Sequence, residues 1–216
     1  MTQSEQSLRL KEHIHEALQA WQQRDPSVDR LGSLRLVKNL QSMHGLGVHD
    51  AIEQLLGDAL IQLKNVNPEY GLLIHKRFRE AQTPLQTAND LNIAQPTFFT
   101  WQRKAIDLLS SLILLDEQDA LNAHKEGLAK RIEPPTYSRL IGATECMTTV
   151  EGALNGPDAP WLIAITGIGG IGKTSLAHAV TLSSIHQGGW ENVSWLTARR
   201  NLLEIDGRIR SLEQPT

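Results

Sequence analysis

The sequence predicts an α + α/β protein, with an all-helical N-terminal domain that carries a helix-turn-helix and is followed by an incomplete α/β domain. Three observations predict it. Apolar residues recur at helical spacing through most of residues 5–130, Pro134-Pro135 breaks that pattern, and a strand-length apolar run at 161–165 leads into a glycine-rich loop. The expected division is a helical domain over 1–131, a linker with a short apolar element over 132–142, and the first part of an α/β domain over 143–216.

The elements follow in order. From 5 to 24, Leu10, Ile14, Ala17, Leu18 and Trp21 form one helix face, and Asp25-Pro26 stops it. His13 and His15 fall on different faces with no third ligand at metal spacing, so they read as solvated helix residues. A second helix is predicted over 33–43, ended by Gly45 and Gly47. Val48, Ile52, Leu55, Leu56, Ala59, Leu60 and Leu63 make a strong amphipathic stripe, with Gly57 a propensity cost in its middle. Asn67 then reads as a cap and Pro68 as a first helical residue, opening a helix with an apolar side through Leu72, Leu73, Ile74 and Phe78 and a basic side through Lys76, Arg77 and Arg79.

Residues 84–106 have the pattern of a helix-turn-helix. Ala88 is the small residue where two helices must touch, Leu91 and Ile93 flank the turn, and Phe98 and Trp101 fall where the second helix packs back. Asn92 occupies the turn, where left-handed geometry is needed and Asn tolerates it. If the unit reads DNA, Gln95, Thr97, Thr100 and Arg103 are placed to reach base edges, and Lys76, Arg77, Arg79 and Lys104 to meet phosphates. The other reading is a scaffold or protein adaptor, which the aromatics Phe98, Phe99 and Trp101 favour.

Helical pattern then runs on from Asp107 toward Lys130 and Arg131. Within it, residues 112–117, four apolar residues followed by Asp116-Glu117, imitate a Walker B strand. The segment lacks bounding turn signals and lies between helix formers, so a core helix followed by a solvated acidic turn is the simpler account. Beyond Pro134-Pro135, a short helix is expected over 144–154 with Met147, Val150 and Leu154 on one face. A turn over 155–160, a strand over 161–165, a helix from Lys173 to about His186 stopped by Gly188-Gly189, and a second strand over 193–197 follow. Asp206-Gly207, between two apolar segments, is a hairpin signal.

Residues 167–174, Gly-Ile-Gly-Gly-Ile-Gly-Lys-Thr, fit the phosphate-binding pattern G-x-x-x-x-G-K-[ST] between a strand and a helix. Glycines let successive backbone N–H groups converge on phosphate oxygens, and the helix that follows points its positive end at the same anion. The candidate nucleotide contacts are Gly167, Gly169, Gly170, Ile171, Gly172, Lys173, Thr174 and Ser175. Lys173 would neutralise the β- and γ-phosphates, Thr174 would hold a nucleotide-bound magnesium ion, and Ser175 would support a phosphate at the helix start.

Two resemblances add to this reading. Residues 84–106 with the preceding helix resemble the promoter-binding helix-turn-helix of sigma factors, including the ending Arg103-Lys104-Ala105-Ile106. Leu140-Ile141-Gly142, a short helix, an apolar strand and the GxGGxGKT form of the loop together resemble the P-loop NTPase domain of STAND ATPases, the NB-ARC and NACHT-like signalling switches. Trp190-Glu191-Asn192-Val193-Ser194-Trp195-Leu196 resembles that family's next strand. The resemblance implies ATP or ADP with Mg as cofactors, an adenine-side role for Ile141 and Gly142, and self-association of an intact protein. Ala143 stands where the family has Arg. The Walker B acids, sensor Arg and winged-helix lid of the family are not found downstream, and two parallel strands alone leave sheet edges unburied. The expectation is therefore an N-terminal piece of a longer protein, binding nucleotide weakly and hydrolysing it negligibly by itself.

Composition narrows the classes. A net charge of −3 gives no global basic field, so a DNA contact must be a local patch. The single Cys146 excludes an internal disulfide framework and a multi-cysteine zinc site, and it has no paired base to make it a nucleophile. The N-terminus is polar where a signal peptide is apolar, and no apolar run approaches the roughly 20 residues of a spanning helix, so a cytoplasmic protein away from membranes is expected. The favoured function is a nucleotide-dependent signalling switch with the helical domain as effector or adaptor. The alternative is a sequence-specific DNA-binding regulator whose ATPase module controls oligomerisation; a P-loop small-molecule kinase and a chain that binds no nucleotide are the remaining classes.

Overall fold

A computed structural model describes residues 3–21, 26–156, 158–197, 201–203 and 209–211. The described residues are mostly helical and fall into two compact units, Met1–Leu121 and Asn122–Thr216.

The described elements of the first unit are all helical, as its apolar spacing leads one to expect. Helix α1 (Gln3–Gln19) buries Ile14, Ala17 and Leu18, and a 3₁₀ segment, Pro26–Ser33, follows the proposed stop at Asp25, which lies outside the described residues. Helix α2 (Arg35–His44) ends on Gly45 at φ 65°, a left-handed cap that glycine adopts without steric cost. Helix α3 (Val48–Val66) turns the predicted stripe inward, with Ile52, Leu55, Leu56, Ala59, Leu60 and Leu63 all buried. Burial of each large side chain is worth about 1.5–3 kcal/mol relative to exposure. Helix α4 (Pro68–Ile74) starts as read: the Asn67 side chain accepts the Tyr70 N–H at 3.0 Å and Pro68 takes the first turn. It then widens into a π turn, His75–Arg79, where the Glu80 N–H reaches back to the His75 carbonyl at 3.0 Å.

Helix α5 (Pro84–Asp90) and the 35-residue helix α6 (Gln95–Ala129) follow, covering the residues read as a helix-turn-helix. Helix α6 runs straight through Asp116-Glu117, which corrects the solvated acidic turn: Glu117 is 8% exposed, and Asp116 accepts a hydrogen bond from Gln62 at 2.8 Å. Acids on a helix face can be buried when another element brings donors to them, and that pairing leaves no trace in local sequence.

The second compact unit begins at Asn122, inside α6. The last turns of α6 pack with helix α8 (Lys173–Gln187): Leu128, Ile132 and Ile185 form a small core with Leu182, Val193 and Trp195 against it. Lys125 Nζ donates to the His186 carbonyl at 2.8 Å, a cation at the negative end of α8, and the His124 ring donates to the Trp190 carbonyl at 3.0 Å. Helix α7 (Thr144–Asn155) packs on α8 with Met147, Val150 and Leu154 half-buried.

The parallel sheet is not formed among the described residues. Segments 161–165 and 193–197 join no ladder, and Trp161, Leu162 and Leu196 are exposed. An apolar β-branched run becomes a strand only when neighbouring strands take its N–H and C=O groups, and the described residues supply no such neighbours. The strand pairing present is antiparallel, β1 (Asn201–Leu203) with β2 (Ile209–Ser211), Leu202 opposite Arg210. That is the direction a hairpin requires; its turn, Asp206-Gly207, lies outside the described residues.

Candidate functional site

The glycine loop is shaped by backbone angles that other residues resist. Gly170 has φ 81° and Gly172 has φ 95°, and a Cβ at either would meet nothing within 4 Å, so conformation and not crowding calls for glycine there. Gly172 caps α8, and the Leu176 N–H is bonded to the Gly172 carbonyl at 2.8 Å. The donor end of the helix and its positive dipole end therefore face the loop.

Lys173, the first residue of α8, folds back over the loop. Its Nζ donates to the carbonyl of Gly167 at 3.0 Å and of Ile168 at 2.8 Å, which fixes the ammonium above the glycine turn. Gly169, Gly170 and Ile171 are exposed beside it, Thr174 is exposed one residue into the helix, and Ser175 is half-buried. A phosphate group fits this donor set: a held ammonium, open glycine backbone and a helix start, with no carboxylate hydrogen-bonded to the ammonium among the described residues. Lys173, the loop backbone and Ser175 would hold the phosphates, and Thr174 a magnesium ion carried with them.

Ile141 is 89% exposed and Gly142 sits at φ 70°. Their segment is tied to α8 through Tyr137, whose hydroxyl meets His178 at 3.0 Å. His178 carries no motif signal, and sequence reasoning missed it.

In the first unit, α5 and α6 meet across a short turn. Ala88 and Phe98 are buried where the helices meet, and Asn92 takes φ 54° in the turn. Thr83 and Gln86 form a reciprocal capping box at the start of α5, legible in hindsight from the T-x-x-Q spacing. Gln95, Thr100, Arg103 and Lys104 are exposed on α6, Thr97 is half-buried, and Phe99 stands 50% exposed among them. The Thr100 hydroxyl donates to the Pro96 carbonyl at 3.2 Å, which leaves it to act outward only as an acceptor.

Three of the cations expected to meet phosphates, Lys76, Arg77 and Arg79, are engaged elsewhere. Lys76 pairs with Asp90 at 2.8 Å, Arg79 pairs with Glu53 at 2.7 Å and lies over the Trp21 ring, and Arg77 donates to the Gln82 carbonyl at 3.0 Å. The hydrogen bond to Asp90 holds the Lys76 ammonium above the usual lysine range, and the same bond, helped by Gln82, holds Asp90 below the usual carboxylate range. These side chains tie α3, the π turn and α5 together. Arg103 and Lys104 remain as the exposed basic residues of the second helix.

Among the described residues no helix is long and apolar enough to cross a membrane, and no group of three or more His, Cys, Asp or Glu is placed to hold a metal ion. Compared with protein-family models, with curated proteins and with solved structures, the chain matches none.

Proposed function

We propose that this chain binds ATP and ADP through residues 167–175 and serves as the nucleotide-sensing portion of a STAND-type signalling switch. The observation that carries the reading is the geometry of Lys173, whose ammonium is held over a left-handed glycine turn at the start of a 15-residue helix. Such an arrangement concentrates positive potential where a β- or γ-phosphate would lie. Ile141 and Gly142 serve the adenine side in this reading, and the helical unit is the effector or adaptor. Binding, not hydrolysis, is what these residues supply, since phosphoryl transfer also needs acids that complete the magnesium site and orient water. Calorimetry with Mg-ATP and Mg-ADP tests the proposal: the wild-type chain should bind both, and Lys173→Ala should lose most of the heat. Equal heats for the two proteins would remove the phosphate site.

A second reading is favoured by the helix-turn-helix itself, with its left-handed Asn92 turn and exposed Gln95, Thr100, Arg103 and Lys104. Here the chain is a sequence-specific DNA-binding regulator and nucleotide controls its oligomeric state. The internal pairing of Lys76, Arg77 and Arg79 weighs against it, because phosphate contacts dominate DNA affinity. A gel shift across a salt series decides: tight binding to one promoter that is lost in the Gln95→Ala/Arg103→Ala variant would establish the DNA reading over the adaptor.

A further inference from the structure

His178 lies on α8, five residues beyond Lys173, and is 4% exposed. Its Nε2 is 2.8 Å from the Glu133 carbonyl oxygen. A carbonyl only accepts, so Nε2 carries a proton, and in the Nε2–H tautomer Nδ1 presents a lone pair. The Tyr137 hydroxyl, 3.0 Å from Nδ1, donates to that lone pair. Both ring nitrogens are thus spent on one stretch, 133–137, on either side of Pro134-Pro135. The rings of Tyr137 and Trp195 meet the imidazole edge to face, at 5.6 Å and 83° and at 5.8 Å and 86°. Burial pushes the Tyr137 hydroxyl above the usual tyrosine range. Burial alone asks for partners on both nitrogens, and here both come from the one segment that leads directly to Leu140-Ile141-Gly142.

We infer that Tyr137 and His178 are positioning residues that latch this segment to the helix of the phosphate loop, setting the base-side element 140–142 in register with the phosphate side. The inference rests on the nucleotide-binding reading above. The latch acts through backbone placement and touches no nucleotide. Its removal should therefore cost the base contribution to binding and spare the phosphate contribution.

Tyr137→Phe tests this, since it keeps the ring and its packing and deletes one donor. Affinities for Mg-ATP and for Mg-tripolyphosphate, which has phosphates and no base, are measured for wild type and variant. The expected result is about a tenfold loss for Mg-ATP, the scale of one hydrogen bond, with Mg-tripolyphosphate changed less than about twofold. Amide exchange gives a readout independent of binding: residues 138–142 should exchange faster in the variant while α8 keeps its protection. Equal losses for both ligands, or unchanged affinity and exchange, would overturn the latch and leave the nucleotide reading standing. A wild-type chain that binds neither ligand would overturn both, and one that binds both equally well would overturn the latch by removing any base contribution.

Discussion

The Glu117 carboxylate accepts the backbone N–H of Arg35 through Oε1 at 2.7 Å, and its other oxygen accepts the N–H of Leu36 at 3.0 Å. Leu34 stands at the N-cap of α2 and offers no side-chain acceptor, so an acid from α6 caps α2 across the fold. Two first-turn donors are satisfied, and a negative charge meets the positive end of the helix. Glu117→Ala should destabilise the chain by about 1–3 kcal/mol, and Glu117→Gln, which keeps one acceptor, by less. Urea midpoints check this; an alanine variant as stable as wild type would remove the capping role.

Two glycines make opposite predictions. A Cβ on Gly71 would lie 2.7 Å from Lys64 Cα and 3.0 Å from Lys64 N, both backbone atoms that cannot swing aside. Gly71→Ala should cost about 1–3 kcal/mol by forcing α3 and α4 apart. Gly57, inside α3, has nothing within 4 Å of such a Cβ, so Gly57→Ala should gain about 0.5–1 kcal/mol from backbone entropy. Thermal melts of the pair should move in opposite directions.

Asn92 at φ 54° fixes the turn between α5 and α6. Asn92→Val should lose about 1–2 kcal/mol, the cost of a β-branched side chain in left-handed geometry, and Asn92→Gly should match wild type within a few tenths. Circular dichroism during denaturation reports both, and a valine variant of unchanged midpoint would contradict the assigned turn.

The Lys76–Asp90 pair predicts a pH window. Asp90 has a depressed folded-state pKa, so its contribution is present above the ordinary aspartate value and lost as pH falls through the folded value. Lys76 has a raised one, so its contribution is present below the ordinary lysine value and lost as pH rises through the folded value. The difference in stability between wild type and Asp90→Asn should be largest at neutral pH, shrink toward zero in acid, and narrow with added salt because the pair is exposed. A difference that persists undiminished at low pH would show that another interaction separates the two proteins.

What the sequence made legible was local. The stripe of α3 was readable because burial follows a 3.6-residue period, and Asn92 because few side chains accept positive φ. The ends of α8 were readable for a related reason, with Lys173 opening it and Gly188 closing it at φ 93°. Long-range partnerships were not readable. Nothing near Glu117 announces that α2 lacks a cap, nothing near Arg79 points to Glu53 26 positions earlier, and Tyr137 and His178 meet across 41 positions. The strands at 161–165 and 193–197 failed for a different reason, because a strand is a property of its neighbours as much as of its own residues. For the candidate site, the glycine loop was legible as a contiguous motif, and the contacts of Tyr137 and His178 beside its helix were not.

Trp161, at 105% of reference exposure, stands fully in solvent a few residues before the glycine loop, whereas Trp21 is at 6%. Its indole therefore emits at the long-wavelength limit set by water, while Trp21 emits from an apolar surround. A partner that covers that indole shifts its emission to the blue. Trp161 thus makes an optical reporter of whether segment 161–165 becomes covered.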